Sequence, residues 1–199
     1  MIEKIFSAET NQTKSLIEYI NFRVQLPTPL KDVIQSVCKE EELGRGDLLI
    51  KQDSVAHRLF FIKKGSARTF YYHQGKDVTS WIYREGQIIT SWSSFFTRTP
   101  SHESVELAED STVISISYDD LQNLYRSYPK MQEFGRIMVE SQLVFLEYFY
   151  KGFFFISAKE KYDLLLSIFP DVTQRVNLGH IASFLGISQE TLSRIRKKK

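Results

Sequence analysis

The stretch 177-NLGHIASFLGISQETLSRIRKK-198 has the pattern of two short helices joined by a tight turn. Apolar residues at spacings of three, four and seven predict one buried face on a first helix over 178–185. These residues are Leu178, Ile181, Ala182 and Leu185. Gly186 follows them, and glycine adopts the left-handed conformation of a helix end most readily. The stretch therefore predicts a helix-turn-helix.

The second helix is expected over 188–199. Ser188 is a favourable N-cap, and Leu192 and Ile195 would face the first helix. In this motif the second helix enters the major groove, where Glu190 could accept from cytosine, Arg194 could donate twice to guanine, and glutamine suits adenine. We expect DNA contacts from Ser188, Gln189, Glu190, Thr191, Ser193, Arg194, Arg196, Lys197 and Lys198.

The charge distribution supports this interpretation. The formal net charge is only +2, but five of the last six residues are basic, including Lys199. Such a cluster would bind phosphates and make the affinity depend on salt. Two simpler alternatives remain: a solvated basic tail, and pairing of Glu190 with Arg194 one helical turn apart.

The middle of the chain predicts an antiparallel β-sandwich or barrel. Short runs typical of strands, over about 43–117, are separated by turn residues at intervals of roughly 8–12 residues. Gly65 and Gly75 lie where hairpins need positive φ. Helical patterns flank this region, and Cys38 falls in the apolar pattern of the preceding helix.

A long helix is predicted over about 130–150, and it carries an apolar stripe that resembles a heptad seam. The stripe consists of Met131, Phe134, Met138, Ser141, Phe145 and Tyr148. The helix could pack on its own β domain or pair with the same helix of a second subunit. The second alternative is favoured by the helix-turn-helix, which usually works in pairs.

Several function classes are disfavoured by composition. Cys38 is the single cysteine, so a Cys-based zinc or iron–sulfur site is not expected. The four histidines are scattered, and a small β-barrel enzyme would need an H-x-H metal cluster. We therefore expect no enzyme, no metal and no cofactor. The absence of a signal-like or membrane-spanning segment predicts a cytoplasmic protein without a membrane partner.

The order of elements, together with two local motifs, resembles the cyclic-AMP receptor protein/FNR (Crp/Fnr) family of bacterial regulators. The run over 188–195, SQETLSRI, is similar to the family's S-R-E-T-V-x-R-I helix, and FFIKKGSARTFYY over 60–72 is similar to its β-roll. The resemblance implies an α+β fold with three parts. These are an N-terminal cyclic-nucleotide-binding-like β-roll (a double-stranded β-helix jelly roll, 1–125), a dimerisation helix (126–157) and a helix-turn-helix domain (158–199).

The same resemblance implies a homodimer that binds a two-fold-related site on double-stranded DNA, with RNA polymerase as a further candidate partner. Glu190 and Arg194 fall at base-reading positions of the family. Gln189 stands where the family commonly has arginine. A second hypothesis is a ligand-binding regulatory module that acts through a protein partner instead of DNA.

The resemblance breaks down where the family binds cyclic nucleotides. Ser91 replaces the glutamate that binds the ribose, Ser101 replaces the arginine that binds the phosphate, and Glu103 would repel the phosphate. Arg98 is the nearest cation that could substitute. We expect an unidentified small-molecule effector, if any, and not cyclic AMP. The pocket candidates are Thr90, Ser91, Trp92, Ser93, Arg98, Ser101 and His102.

Overall fold

The computed structural model describes residues 15–153 and 155–197. Within these ranges two helices precede a region of strands, and further helices follow it. The helices are α1 (Leu16–Arg23), α2 (Thr28–Val37), α3 (Trp92–Thr97), α4 (Tyr118–Ser127), α5 (Pro129–Phe153), α6 (Ala158–Ile168), α7 (Val172–Arg175), α8 (Leu178–Leu185) and α9 (Gln189–Lys197). The strands are β1 (Lys39–Leu43), β2 (Leu48–Ile50), β3 (Arg58–Lys64), β4 (Ala67–His73), β5 (Lys76–Tyr83), β6 (Ile88–Ile89), β7 (Ser104–Leu107) and β8 (Ser111–Ser117).

The strands form two four-stranded antiparallel sheets, with the orders β1-β8-β3-β6 and β2-β7-β4-β5. Side chains from both sheets enter one hydrophobic core. Phe61 and Val113 come from the first sheet, and Val105 and Leu107 come from the second; all four are fully buried. The antiparallel β-roll and the mixed α+β fold predicted from the sequence are confirmed.

Two glycines shape the roll as the sequence predicts. Gln74 and Gly75 both have positive φ, as a two-residue hairpin turn between β4 and β5 requires. Gly65 has a φ of 103°, and a Cβ at this residue would lie 2.0 Å from Ser111 Oγ. No larger residue fits this close approach without a shift of the neighbouring chain.

The β region begins earlier than the sequence predicts, at Lys39 instead of residue 43. Glu40, Glu41 and Glu42 belong to β1, which pairs with β8. Glutamate is tolerated here because β1 is an edge strand whose side chains are largely solvated. A run of three glutamates shows no alternation of polar and apolar residues, so the sequence pattern cannot reveal the strand.

The helices around the β-roll are longer than predicted. α4 continues to Ser127 and ends there because Tyr128 precedes Pro129, which disfavours the helical conformation for that residue. The predicted domain boundary after residue 125 therefore falls inside α4. α5 begins at Pro129 and extends to Phe153, three residues beyond the predicted end at 150.

The C-terminal helices have a hydrophobic cluster of their own. α6 starts with a reciprocal capping box between Ser157 and Glu160. The predicted helix Leu178–Leu185 is confirmed at both ends, and Gly186 ends it with a φ of 70°. The buried members of the cluster are Ile82 of β5 and Tyr162, Leu165, Phe169, Val172, Val176, Ile181, Ala182, Leu185 and Leu192.

Candidate functional site

Helix α9 is anchored on one side and exposed on the other. Leu192 is 1% exposed and packs in the cluster with α8, and Ile195 is partly buried against it. The Ser188 hydroxyl accepts from the Thr191 N–H at 3.2 Å, so Ser188 caps the helix. The remaining side chains project away from α8. The exposed set is Gln189, Glu190, Ser193, Arg194, Arg196 and Lys197.

The charged groups of this face stay available to a ligand. A hydrogen bond with Ser188 lowers the pKa of Glu190, which keeps its carboxylate ionised and able to accept. The Arg194 guanidinium donates to the Thr191 hydroxyl at 3.1 Å through one of its nitrogens. Ser188 and Thr191 thus organise the start of α9. Of the nine predicted DNA-contacting residues, Lys198 lies outside the described residues, as does Lys199.

Inside the β-roll, two of the predicted pocket residues meet. The Ser101 hydroxyl lies 2.8 Å from Ser91 Oγ and donates to the Glu103 carbonyl oxygen at 2.6 Å. Both serines are fully buried. Burial raises the pKa of the Glu103 carboxyl, which the Ser80 hydroxyl contacts at 3.4 Å. Two hydroxyls and an acid therefore lie together where the resemblance to the family would place the cyclic phosphate.

Arg98 is already engaged elsewhere. Its guanidinium donates to the Ala56 carbonyl oxygen at 2.6 Å and to the Phe95 carbonyl oxygen at 3.1 Å. It also stacks on the Tyr118 ring, 4.3 Å from the ring centre. Because moving Arg98 towards Ser101 would break these contacts, Arg98 is a poor substitute for the missing arginine.

The other predicted pocket residues lie apart from the serine pair. Thr90 is buried and donates to the Arg58 carbonyl oxygen at 3.0 Å. Trp92 stacks on Phe96 beside a groove along α5. Ser93 and His102 are exposed. The predicted pocket is thus a compact Ser91–Ser101 pair and not one continuous set.

The apolar stripe predicted for dimerisation packs mainly inside the protomer, which corrects that prediction. Met131 is 2% exposed and Phe134 is 5% exposed in the core of the roll. The Tyr19 hydroxyl donates to Met138 Sδ at 3.4 Å. Phe145 packs against the Trp81 ring. Ser141 is partly buried, and the Tyr148 side chain lies outside the part of the chain that the structure describes.

A different face of α5 is apolar and exposed. Val139 is 59% exposed, Leu143 is 67% exposed and Leu146 is 42% exposed. Their spacings of four and three residues place them on one side of the helix. The three residues line a groove of about 350 Å³ together with Trp92 and other apolar side chains. Because α5 has two apolar faces, the sequence pattern alone could not distinguish the inner face from the outer one.

The segment from β1 to the end of α4 matches a known family. The model of the cyclic nucleotide-binding domain family covers residues 40–128. This segment is therefore similar in sequence to cyclic nucleotide-binding domains. No curated protein matches the sequence of the chain. Within the described residues, no helix is long and apolar enough to cross a membrane, and no three His, Cys, Asp or Glu residues are grouped as metal ligands would be.

Solved structures extend the likeness beyond the cyclic nucleotide-binding domain. CLP, the c-di-GMP responsive global regulator of Xanthomonas campestris, is 14% identical with a TM-score of 0.65, over 86% of this chain and 91% of that chain. FixK2 from Bradyrhizobium japonicum is 16% identical with a TM-score of 0.64, over 81% of this chain and 84% of that chain. A protein from Eubacterium rectale assigned to the Crp/Fnr family is 14% identical with a TM-score of 0.65, over 87% of this chain and 83% of that chain. The resemblance to Crp/Fnr proteins is therefore confirmed at the level of the fold.

The C-terminal helices dock on strand β5 of the β-roll. The Thr79 N–H donates to Ser183 Oγ of α8 at 3.0 Å. The Trp81 ring meets Phe184 of α8 edge to face, with ring centres 5.4 Å apart, and Phe149 of α5 at 4.9 Å. Strand β5 thus touches α5 and α8, and its exposed residue Ser80 contacts Glu103.

An ion-pair cluster fixes the same docking. Arg175 of α7 donates to Glu109 at 2.8 Å and to Glu85 at 3.0 Å. These pairs join residues separated by 66 and 90 positions in the chain. No local pattern in the sequence signals such long-range pairing, so sequence reasoning missed both Arg175 and Trp81.

We predict that cyclic AMP does not bind this β-roll. The Ser101 hydroxyl is hydrogen-bonded to the Ser91 hydroxyl, and the Glu103 carboxyl lies next to them. A phosphate placed there would lose a bidentate charged partner. Isothermal titration calorimetry should give no saturable heat at millimolar cyclic AMP. Saturable heat at any cyclic AMP concentration up to millimolar would overturn this account of the interior.

We also predict that the docking of α8 weakens in acid through His180. Burial and the Arg68 charge lower the pKa of His180, while Asp77 and Glu106 act in the opposite direction and Arg45 adds to the lowering. As the pH falls, the His180 imidazole therefore takes up its proton at a higher pH in the unfolded chain than in the folded chain. The stability that the neutral His180 side chain contributes is complete above the pKa of His180 in the unfolded state. It is lost as the pH falls through the pKa of His180 in the folded state.

The measurement for His180 is the melting temperature as a function of pH. Between neutral and mildly acidic pH, the melting temperature of the wild type should fall further than that of the His180→Gln variant. His73→Gln, at an exposed histidine on the β4–β5 hairpin, serves as the control and should follow the wild type. Parallel curves for the wild type and His180→Gln would contradict the prediction.

Proposed function

We propose that this protein is a dimeric DNA-binding transcription regulator of the Crp/Fnr type. The observation that carries the proposal is the exposed face of α9, where Arg194, Arg196 and Lys197 lie beside Glu190 on a helix anchored through Leu192. In a helix-turn-helix, α8 would cross the DNA backbone and α9 would enter the major groove. The arrangement supplies both base-edge partners and phosphate partners.

The roles on α9 follow from side-chain chemistry. Arg194 can donate two hydrogen bonds to guanine, and the ionised Glu190 can accept from cytosine. Arg196 and Lys197 carry charge without a fixed geometry and suit phosphates, as do the terminal lysines. Ser188 and Thr191 support the start of the helix, and Ser193 is small enough to let it approach the groove.

The outer face of α5 supports dimerisation. Val139, Leu143 and Leu146 repeat at heptad-like spacing, and their exposure would be reduced if they packed on a second copy. Two copies of α9 would then be related by a two-fold axis, and the DNA site would have the same symmetry. We propose Val139, Leu143 and Leu146 for this interface in place of the stripe that contains Phe134.

The cyclic nucleotide-binding domain would sense a ligand other than cyclic AMP, or none. CLP is described as responsive to c-di-GMP, so proteins of this fold use other ligands. We propose that regulation takes place in the cytoplasm, together with RNA polymerase. We propose that the dimerisation segment ends at residue 157 and that the DNA-binding domain begins at residue 158.

Selection from a random duplex library tests the proposal. The full chain should enrich a two-fold-related sequence, and its affinity for that duplex should fall steeply as salt is raised. Failure to enrich any sequence, or binding without salt dependence, would refute the proposal. In that case the alternative, a ligand-binding module that acts on a protein partner, would take its place.

A further inference from the structure

The first side chain of α9 lies over the first turn of α8. Gln189 is exposed, but its amide does not extend freely along the outer face of the helix. A Cβ built on Gly179 would lie 2.6 Å from Gln189 Nε2 and 3.7 Å from Gln189 Cδ. The amide thus occupies the space that any other residue at position 179 would fill with its own side chain.

The start of α8 is organised around this glycine. The Asn177 side chain accepts from the Gly179 N–H at 2.7 Å, and Asn177 Oδ1 lies 3.2 Å from the position of the missing Cβ. Two amide side chains, Asn177 and Gln189, therefore converge on Gly179. Asn177 precedes α8 and Gln189 begins α9, so the two amides meet over the first turn of α8, the helix that crosses the DNA backbone in the helix-turn-helix arrangement.

We propose that Gln189 contacts the DNA backbone instead of reading a base, and that Gly179 is the residue that permits this. This inference rests on the proposed DNA-binding function. An amide held over α8 is directed towards phosphates, whereas Glu190 and Arg194 project from α9 with no such contact to α8. Gln189 is then a positioning residue, and the sequence preference is set by Glu190 and Arg194. This differs from the adenine reading that the sequence suggests for Gln189.

Gly179→Ala is the sharpest perturbation. The added methyl would displace the end of the flexible Gln189 side chain, Asn177 Oδ1 would shift by a few tenths of an ångström, and no positive φ demands glycine at this position. The melting temperature should therefore change little. Affinity for the selected duplex should fall about five-fold in Gly179→Ala and in Gln189→Ala alike, because each loses one hydrogen bond. The double variant should be no weaker than either single variant, because both changes remove the same contact.

The matched control is Ser193→Ala, an exposed position on the same helix. Its effect should add to that of Gly179→Ala. Selection with Gln189→Ala should return the same preferred sequence as the wild type, and the salt dependence should be unchanged because glutamine is neutral. Lys197→Ala should instead reduce the salt dependence.

The outcomes separate the two proposals. A wild type without a preferred sequence would refute the proposed function itself. If the wild type selects a sequence and Gln189→Ala changes the preferred base at one position, Gln189 reads a base and the inference is overturned. Additive effects of Gly179→Ala and Gln189→Ala, or no effect of Gln189→Ala on affinity, would overturn it equally.

Discussion

Arg194→Ala is expected to weaken binding to the selected duplex by about 10- to 100-fold, since a bidentate arginine–guanine pair contributes about 1–3 kcal/mol of discrimination. Arg194 is exposed on α9, and its described hydrogen bond to Thr191 uses one guanidinium nitrogen. The fold should therefore survive the change. Fluorescence anisotropy with the selected duplex and with an unrelated duplex measures the effect.

Two variants isolate the cause of this loss. Arg126→Ala removes the same charge from an exposed position on α4 and should leave the affinity near that of the wild type. Arg194→Lys keeps the charge but loses the paired donors, so it should lose preference for the selected duplex while it keeps binding to the unrelated one. Equal affinities for Arg194→Ala and Arg126→Ala would show that Arg194 reads no base.

Leu143→Glu is expected to convert the dimer to a monomer and to weaken operator binding by roughly 100-fold or more, because the second half-site is then no longer bound in the same event. Leu143 is 67% exposed in the protomer and lies between Val139 and Leu146. A charge at the centre of an apolar interface would be buried without a partner. Analytical ultracentrifugation gives the mass, and anisotropy gives the affinity.

The controls for dimerisation use the two faces of α5. Phe134→Ala, on the inner face, should cost about 3–5 kcal/mol of stability and leave the dimer intact. Tyr72→Glu places the same charge on an exposed aromatic residue of β4, away from α5, and should change neither mass nor affinity. A dimer that persists in Leu143→Glu and dissociates in Phe134→Ala would return the interface to the stripe first predicted from the sequence.

The C-terminal helices were the most predictable part of the chain. Gly186 must adopt a left-handed conformation, Ser188 caps the next helix, and the apolar spacing from Leu178 to Leu185 fits a single buried face; these are local requirements. The β-roll was predicted from period and turns, apart from β1, whose glutamates hide an edge strand. Local sequence patterns thus predict a helix or strand correctly wherever one side of that helix or strand is apolar.

The relations between distant elements could not be predicted in the same way. An apolar residue on α5 satisfies the pattern on either face, so the inner position of Phe134 follows only from what packs on it. The contacts of Trp81 and Arg175 join segments far apart in the chain, and no periodicity encodes them. These contacts decide how the C-terminal helices pack on the β-roll.

The candidate pocket illustrates both cases. Ser91 and Ser101 were identified because they depart from a family pattern, and they lie 2.8 Å apart. Trp92 follows Ser91 directly, yet each residue of a helix is rotated by about 100° from the one before. Trp92 therefore lies by the groove along α5, while Ser91 stays in the interior. Neighbours in sequence diverge here because a helix begins between them.

The most direct test of the central claim is hydroxyl-radical footprinting of the full chain on its selected duplex. A dimer with two copies of α9 should protect two half-sites related by two-fold symmetry, with centres about one helical turn or 34 Å apart. The protection should shift to higher protein concentration in Arg194→Ala, and it should shift further in Leu143→Glu. A single protected half-site, or uniform protection along the duplex, would contradict a dimeric regulator that reads a symmetric operator.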